Sequence, residues 1–239
     1  MIKIFITGSS KGIGKALAEE LLTKESNLVC GLSRSSSINH YNYEHISIDL
    51  SDISDVKNFN FETNDKVDKY ILVNNAGMVE PVGRVGKLDN SNIEKAYNLN
   101  LIAPSILMNK FISTFESLNV DLHIINISSG AGKYPIDGWA TYNSTKAGLD
   151  MFSKVLFDEL NIDTKNRIHI HSVAPGIVDT EMQEIIRSKE SAEFSNIEKF
   201  KEYHKNGDLN SSSNVAKKLL EIIKNPKKFN ETILSVRDF

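Results

Sequence analysis

Thr7-Gly8-Ser9-Ser10-Lys11-Gly12-Ile13-Gly14 follows an apolar run at 2–6. It opens a stretch, 13–22, in which Leu17, Leu21 and Leu22 recur at helical spacing. Strand, glycine turn and helix in this order decide how the chain reads. The glycines permit a tight turn and a close backbone approach to a pyrophosphate. The start of the helix brings free N–H groups and the positive end of its dipole to the same place. Gly8, Ser10, Lys11, Gly12, Ile13 and Gly14 are therefore candidate dinucleotide contacts. Three glycines alone suit any strand–turn–helix; the flanking strand and helix favour the ligand reading.

The pattern repeats outward. Apolar runs at 28–32, 46–48, 70–73, 122–127, 168–173 and 232–236 read as further strands, and 93–115 and 140–160 as long helices. Continuous apolar strands alternating with helices predict an α/β fold. Its doubly wound parallel sheet, of about seven strands, has helices on both faces. No linker divides the chain, so 1–239 reads as one domain. The Ser/Asn-rich stretch 33–44 lacks helical periodicity, which predicts a missing crossover helix. Residues 179–213 break the alternation with two polar helical pieces, 181–189 and 195–205. Such an insertion before the last strand suits a substrate lid.

Composition narrows the function. The 239 residues carry 28 Lys+Arg against 31 Asp+Glu, a net charge of -3, with no basic block. No nucleic-acid partner is expected. With 40% hydrophobic and 25% charged residues, the chain reads as globular rather than disordered. Cys30 is the one cysteine, which excludes an intrachain disulfide framework and suits a reducing compartment. No apolar run approaches the roughly 18 residues of a membrane span. A cytoplasmic protein without a membrane partner is the expectation. His169 and His171 share a strand face but have no third ligand at a suggestive spacing, so no metal is expected.

The second strand ends in Gly31-Leu32-Ser33-Arg34. An acid there would accept a hydrogen bond from a free ribose hydroxyl. Arg34 instead offers a fork that fits a phosphate. Lys11 would add charge and Ser33 a hydroxyl, which predicts NADP(H) as the cofactor. Asp49, beside Leu50, is a candidate for the adenine amino group. Capping a nearby helix is an equal role for Asp49 or Ser51.

Ser129, Tyr142 and Lys146 form the second constellation. Tyr142 and Lys146 are four apart and share a helix face. Ser129 lies just past the fifth strand, at the carboxyl edge of the sheet. An ordinary tyrosine titrates near pH 10, and a neighbouring ammonium would lower that value. Tyr142 could then protonate a developing alkoxide while Ser129 stabilises the carbonyl oxygen.

In this order and spacing, Thr7-Gly8-x-x-x-Gly12-x-Gly14, Asn74-Asn75-Ala76-Gly77, Asn100, Asn126-Ile127-Ser128-Ser129, Tyr142-x-x-x-Lys146 and Pro175-Gly176 resemble the short-chain dehydrogenases/reductases over nearly the full length. The resemblance implies a Rossmann-type fold with Tyr142 as acid/base and Ser129 polarising the carbonyl. Lys146 would bind the nicotinamide ribose and lower the tyrosine pKa. Asn100 would hold a water in the proton relay. Asn75, Ala76 and Gly77 would line the cofactor, with Pro175, Gly176, Val178 and Thr180 near its nicotinamide end. The stretches 75–81, 128–131, 138–142 and 174–183 are most similar to the sepiapterin reductase and benzil reductase branch. Where sepiapterin reductases anchor the pterin with an Asp, this chain has Ser235, with Asp238 close by. Trp139, three before Tyr142, would wall the substrate mouth, and Met182 would join it from the lid.

Taken together these features predict an NADPH-dependent carbonyl reductase acting on a small-molecule ketone or α-diketone, as benzil reductases do. The alternatives are a sepiapterin, 3-oxoacyl or other ketone reductase of the same family and, more distantly, a non-catalytic NADP-binding sensor. The family's usual pairing of the helices at 93–115 and 140–160 implies a homodimer or homotetramer.

Overall fold

Seven strands form one sheet: β1 (Ile2–Thr7), β2 (Asn27–Ser33), β3 (Tyr43–Ser47), β4 (Lys69–Asn74), β5 (Asp121–Ile127), β6 (Ile168–Ala174) and β7 (Ile233–Ser235). This computed structural model describes residues 1–163 and 167–239. All neighbouring strands run parallel, in the order β3-β2-β1-β4-β5-β6-β7. The chain winds outward in one direction from β1 and in the other from β4. The crevice at the carboxyl ends of the strands opens at that reversal.

The helices are α1 (Gly12–Leu22), α2 (Ile53–Asn58), α3 (Asn90–Tyr97), α4 (Ala103–Phe115), α5 (Ala140–Asp163), α6 (Glu181–Arg187), α7 (Ile197–Lys205) and α8 (Ser212–Lys224). Side chains alternate across each strand. Ile4 and Ile6 of β1 face Leu17 and Leu21 of α1 and Leu219 of α8. Phe5, between them, faces Phe111 and Phe115 of α4. Because both faces are covered, the central strands are nearly continuous apolar runs. Phe61 packs edge-on against Phe5 and Phe111, and Tyr70 stacks on Phe115. The fold is thus the expected Rossmann-type single domain.

One local feature differs from the sequence reading. The helix predicted across 93–115 is broken by a π-helical turn, Asn98–Ile102, and Pro104 sits in the first turn of α4. A proline lacks the N–H that would continue the upstream ladder but is tolerated at a helix start. The helix expected after Asp49 is α2, and α8 spans Ser212–Lys224. Ser211 caps α8 by accepting from the Asn214 N–H, and the helix buries Val215, Ala216, Leu219, Ile222 and Ile223. Lys217 and Lys218 lie within α8. Lys218 donates to the Phe239 carbonyl. No helix fills 34–42, as the composition suggested. None of the described helices is long and apolar enough to cross a membrane.

A neutral imidazole pair is buried between β5 and β6. His171 Nε2 lies 3.0 Å from the Phe229 carbonyl, so it donates there. His171 Nδ1 then accepts from His123 Nε2 at 2.8 Å, while His123 Nδ1 has no partner. Burial is the main force holding His123, His169 and His171 below the ordinary histidine value, His169 at about 4. The unfolded chain takes up protons near pH 6.5, before the folded one does. The stability these groups contribute is complete above that pH and drains away as pH falls toward 4. We expect Tm to drop across this window, and His123→Gln to flatten the drop. A Tm that stays level from pH 6.5 to 4 would contradict the neutral pair.

Candidate active site

The glycine turn is held from below. Gly8 and Gly12 adopt φ of +67° and +57°, where a side chain would strain the backbone. A Cβ on Gly14 would stand 2.4 Å from both the Gly8 carbonyl oxygen and Asn75 Nδ2. That Nδ2 donates to the carbonyls of Thr7 (3.0 Å) and Gly8 (3.1 Å). Thr7 Oγ1 in turn accepts from the N–H groups of Asn75 (2.9 Å) and Ala76 (3.0 Å). The loop after β4 is thereby fastened to the loop after β1. No side chain caps α1, and its first turn carries no acid. The N–H groups at its start remain available to a phosphate.

A cleft of about 1360 Å³ runs along the carboxyl edge of the sheet. Gly8, Ser10, Lys11, Gly12, Ile13, Ser33, Arg34, Asp49, Leu50, Asn75, Ala76 and Gly77 border it, as do Ser129, Trp139, Tyr142, Lys146, Pro175, Gly176, Val178, Thr180 and Met182. A positive-φ glycine loop, an uncapped helix start and a cleft of this size together fit a dinucleotide. Gly14 and Asn100 are not on its surface. Gly14 supports the loop from beneath.

The adenine side differs in detail from expectation. Arg34 is exposed on the cleft edge. Ser33 is buried and its hydroxyl donates to the Ser35 carbonyl at 2.8 Å, so it is not turned to a ligand. Lys11 forms an ion pair with Glu181 of α6, across the cleft from the glycine loop. Asp49 Oδ1 accepts from both the N–H (2.9 Å) and the hydroxyl (2.7 Å) of Ser51. These bonds, chiefly the hydroxyl's, hold its carboxyl below the usual range, and Arg34 assists. Asp52, rather than Asp49 or Ser51, caps α2.

Ser129, Tyr142 and Lys146 converge at the other end. Ser129 follows β5 and caps a 3₁₀ turn, its Oγ accepting from the Ala131 N–H at 3.2 Å. Tyr142 and Lys146 lie one turn apart on α5, both buried. Lys146 Nζ donates to the Ile127 carbonyl at 2.8 Å and stands 5.7 Å from the Tyr142 ring centre. The expected lowering of the Tyr142 pKa by Lys146 is not seen. Burial raises the phenol above its ordinary value, and a hydrogen bond from Ser129 offsets part of that. Burial also pulls Lys146 down to about 8, with Asp150 opposing. Desolvation outweighs the ammonium here because both groups lie in the same dry layer.

Asn100 stands behind this wall, in the π-helical turn. Its Oδ1 accepts from the Met78 N–H at 2.9 Å and its Nδ2 donates to the Met78 carbonyl at 2.8 Å. Its side chain clamps the backbone beyond Gly77.

Trp139 is more enclosed than a residue at a mouth. It stacks on Phe194 at 5.2 Å, leans on Phe200 and meets the Tyr142 ring edge-on at 5.5 Å. Asp137, two residues earlier, accepts from the Ser195 N–H (3.1 Å), the Ser195 hydroxyl (2.8 Å) and Asn196 Nδ2 (3.2 Å). The segment just before α7 is thus pinned to the loop that leads into α5. Met182 and Ile185 of α6 pack on the same cluster.

Residues 3–191 match the family model for short chain dehydrogenase. The chain belongs to the short-chain dehydrogenase family. It is accordingly an oxidoreductase, from a family that works with nicotinamide cofactors. It is 36% identical over 241 residues to a benzil reductase ((S)-benzoin forming) of Bacillus subtilis, covering 98% of each chain. It is 25% identical to the sepiapterin reductase of Bos taurus, over 93% of this chain and 89% of that one. A short chain dehydrogenase/reductase structure from Saccharomyces cerevisiae superimposes with a TM-score of 0.84 at 26% identity, covering 99% of this chain and 96% of the other.

Within this short-chain dehydrogenase, Asn74, Asn126 and Thr145 have supporting roles that the sequence reading does not assign. Asn126 Nδ2 donates to Ser153 Oγ at 2.8 Å, and its Oδ1 accepts from Asn74 Nδ2 at 2.8 Å. Thr145 Oγ1 accepts from Asn100 Nδ2 at 3.3 Å and donates to the Tyr142 carbonyl at 2.9 Å. A polar residue among buried strand positions, such as Asn126, is the signal that marks such a strut.

Proposed function

We propose that this chain is an NADPH-dependent carbonyl reductase that converts a ketone or α-diketone, preferably an aryl diketone, to the hydroxyketone. The observation that carries this reading is the convergence of Ser129, Tyr142 and Lys146 beneath an apolar wall. That wall is made by Trp139, Met182, Ile185, Ile186 and Phe200. The likeness to benzil reductases agrees with it. The bound cofactor supplies the hydride. Tyr142 gives its phenolic proton to the carbonyl oxygen, completing the alcohol. Ser129 holds that oxygen as its charge develops. Lys146, fixed on the Ile127 carbonyl, keeps its ammonium at the turn below Tyr142 and faces Gly77. Residues 179–213 act as the lid that keeps water from the reacting carbon. A screen of NADPH oxidation with benzil, sepiapterin, aliphatic diketones and a β-ketoacyl thioester tests the reading. Turnover highest with benzil is the expected result. A strong preference for the thioester would overturn the diketone assignment.

The preference for NADPH rests on Arg34, exposed at the cleft edge, and on the absence of an acid at the end of β2. A charge-assisted contact is worth about 1.5–3 kcal/mol. Arg34→Ala should therefore raise KM for NADPH about 10-fold or more and leave KM for NADH nearly unchanged. Equal use of both cofactors by the wild type would defeat the assignment. On α5, Met151, Phe152 and Val155 are exposed on the outer surface. This apolar strip supports assembly into a homodimer or homotetramer.

A further inference from the structure

Among the described residues, Gln183 and the Trp139 indole N–H stand in the cleft wall without a hydrogen-bond partner. Gln183 lies in the first turn of α6, between Met182 and the Ile185–Ile186 pair, and borders the cleft. It is 7% exposed, and its Oε1 is sealed from solvent without a hydrogen bond. Its Nε2 also donates to nothing among the described residues. With the oxygen sealed inside, the nitrogen is the end of the amide left open on the cleft side, and a donor there without a protein partner is free for a ligand. Its neighbours on α6, Met182, Ile185 and Ile186, are apolar and offer it no hydrogen-bonding side chain. Asn196, another amide bordering this end of the cleft, is engaged by Asp137.

We infer that Gln183 donates its Nε2 hydrogen to the second, unreduced oxygen of a substrate with two adjacent oxygenated carbons. The inference rests on the carbonyl-reductase reading and deepens it. Ser129 and Tyr142 are both directed to one oxygen, the one that becomes the alcohol. An α-diketone brings a further oxygen on the next carbon, which must leave water as the substrate enters an apolar pocket. A lone amide donor in that wall meets this need. Gln183 is thus a specificity-determining residue that selects vicinal dicarbonyls over simple ketones. The same group satisfies the oxygen of the hydroxyketone's remaining carbonyl. A substrate lacking that oxygen leaves the amide unpaired, which is how a polar site rejects an apolar analogue.

The test compares benzil with 1,2-diphenylethanone, which has the same two rings and one carbonyl, in the wild type and in Gln183→Leu. The variant should lose about 10-fold or more in kcat/KM for benzil, the factor expected of one hydrogen bond whose loss strands a buried oxygen. Its kcat/KM for 1,2-diphenylethanone should stay within about twofold of the wild type. Because the amide is unpaired in the empty protein, Gln183→Leu should leave Tm unchanged or raise it. The one tryptophan, Trp139, gives a second readout. Quenching of its emission by benzoin should weaken in the variant, while quenching by 1,2-diphenylethanone should not. Parallel losses for both ketones, or no loss for benzil, would overturn the inference alone. So would a lowered Tm, which would reveal a structural bond. A wild type that binds NADPH and reduces neither ketone would overturn the carbonyl-reductase reading and this inference with it.

Discussion

Tyr142→Phe is expected to reduce kcat for benzil about 1000-fold, within the range attributed to a positioned general acid. The Kd for NADPH should stay within about twofold. The hydroxyl removed is the acid assigned above, on the buried face that Tyr142 shares with Lys146 and the Trp139 edge. The phenyl ring that remains keeps the packing, so the fold should not report the change. Burial raises the phenol's pKa, so at neutral pH the group carries its proton and is ready to give it. Stopped-flow NADPH oxidation measures the rate, and Trp139 emission follows cofactor binding. Near-wild-type turnover in this variant would show that the proton comes from elsewhere.

The second large effect is expected from one methyl group. In Gly14→Ala the new carbon would enter a space 2.4 Å from the Gly8 carbonyl oxygen and from Asn75 Nδ2. Neither is the free end of a flexible chain: the first is backbone, and the second is tied to Thr7 and Gly8. The turn must move, and with it the N–H groups at the start of α1. NADPH affinity should fall about 100-fold or more. Overpacking of this kind also costs about 1–3 kcal/mol of stability. Isothermal titration and a thermal melt separate the two effects. An alanine variant that binds NADPH like the wild type would mean that α1 can shift without disturbing the loop. The adjacent Gly12 provides a contrast. A Cβ there meets Thr180 only at 3.5 Å, so the strain in Gly12→Ala comes from its φ of +57°.

Much of this architecture is legible in the chain because it depends on local spacing. The seven apolar runs and the glycine turn specify strands and a strand–turn–helix through periodicity alone. Ser129, Tyr142 and Lys146 are legible through the family's motif order; spacing alone says only that two share a helix face and the third follows a strand. Residues 93–115 are helical as their spacing indicates, but the widening of the ladder to a π turn at Asn98–Ile102 leaves no mark in the apolar spacing. Helix α8 carries readable signs, a Ser cap and apolar Val215, Leu219 and Ile222 at helical spacing. What no local pattern discloses is contact over distance. Lys11 meets Glu181, Trp139 meets Phe194 and Asp137 meets Ser195 because the chain returns there. The depression of Lys146 and elevation of Tyr142 are likewise consequences of how deeply α5 is covered.

The stacking of Trp139 on Phe194 joins two pieces of roof over Tyr142, one from the turn before α5 and one from the stretch α6 through α7, set against a floor assembled from strand ends. Such a layout separates appetite from chemistry. Changes confined to α6 through α7 would reshape the opening while Ser129, just after β5, and Tyr142 and Lys146, on α5, keep their places.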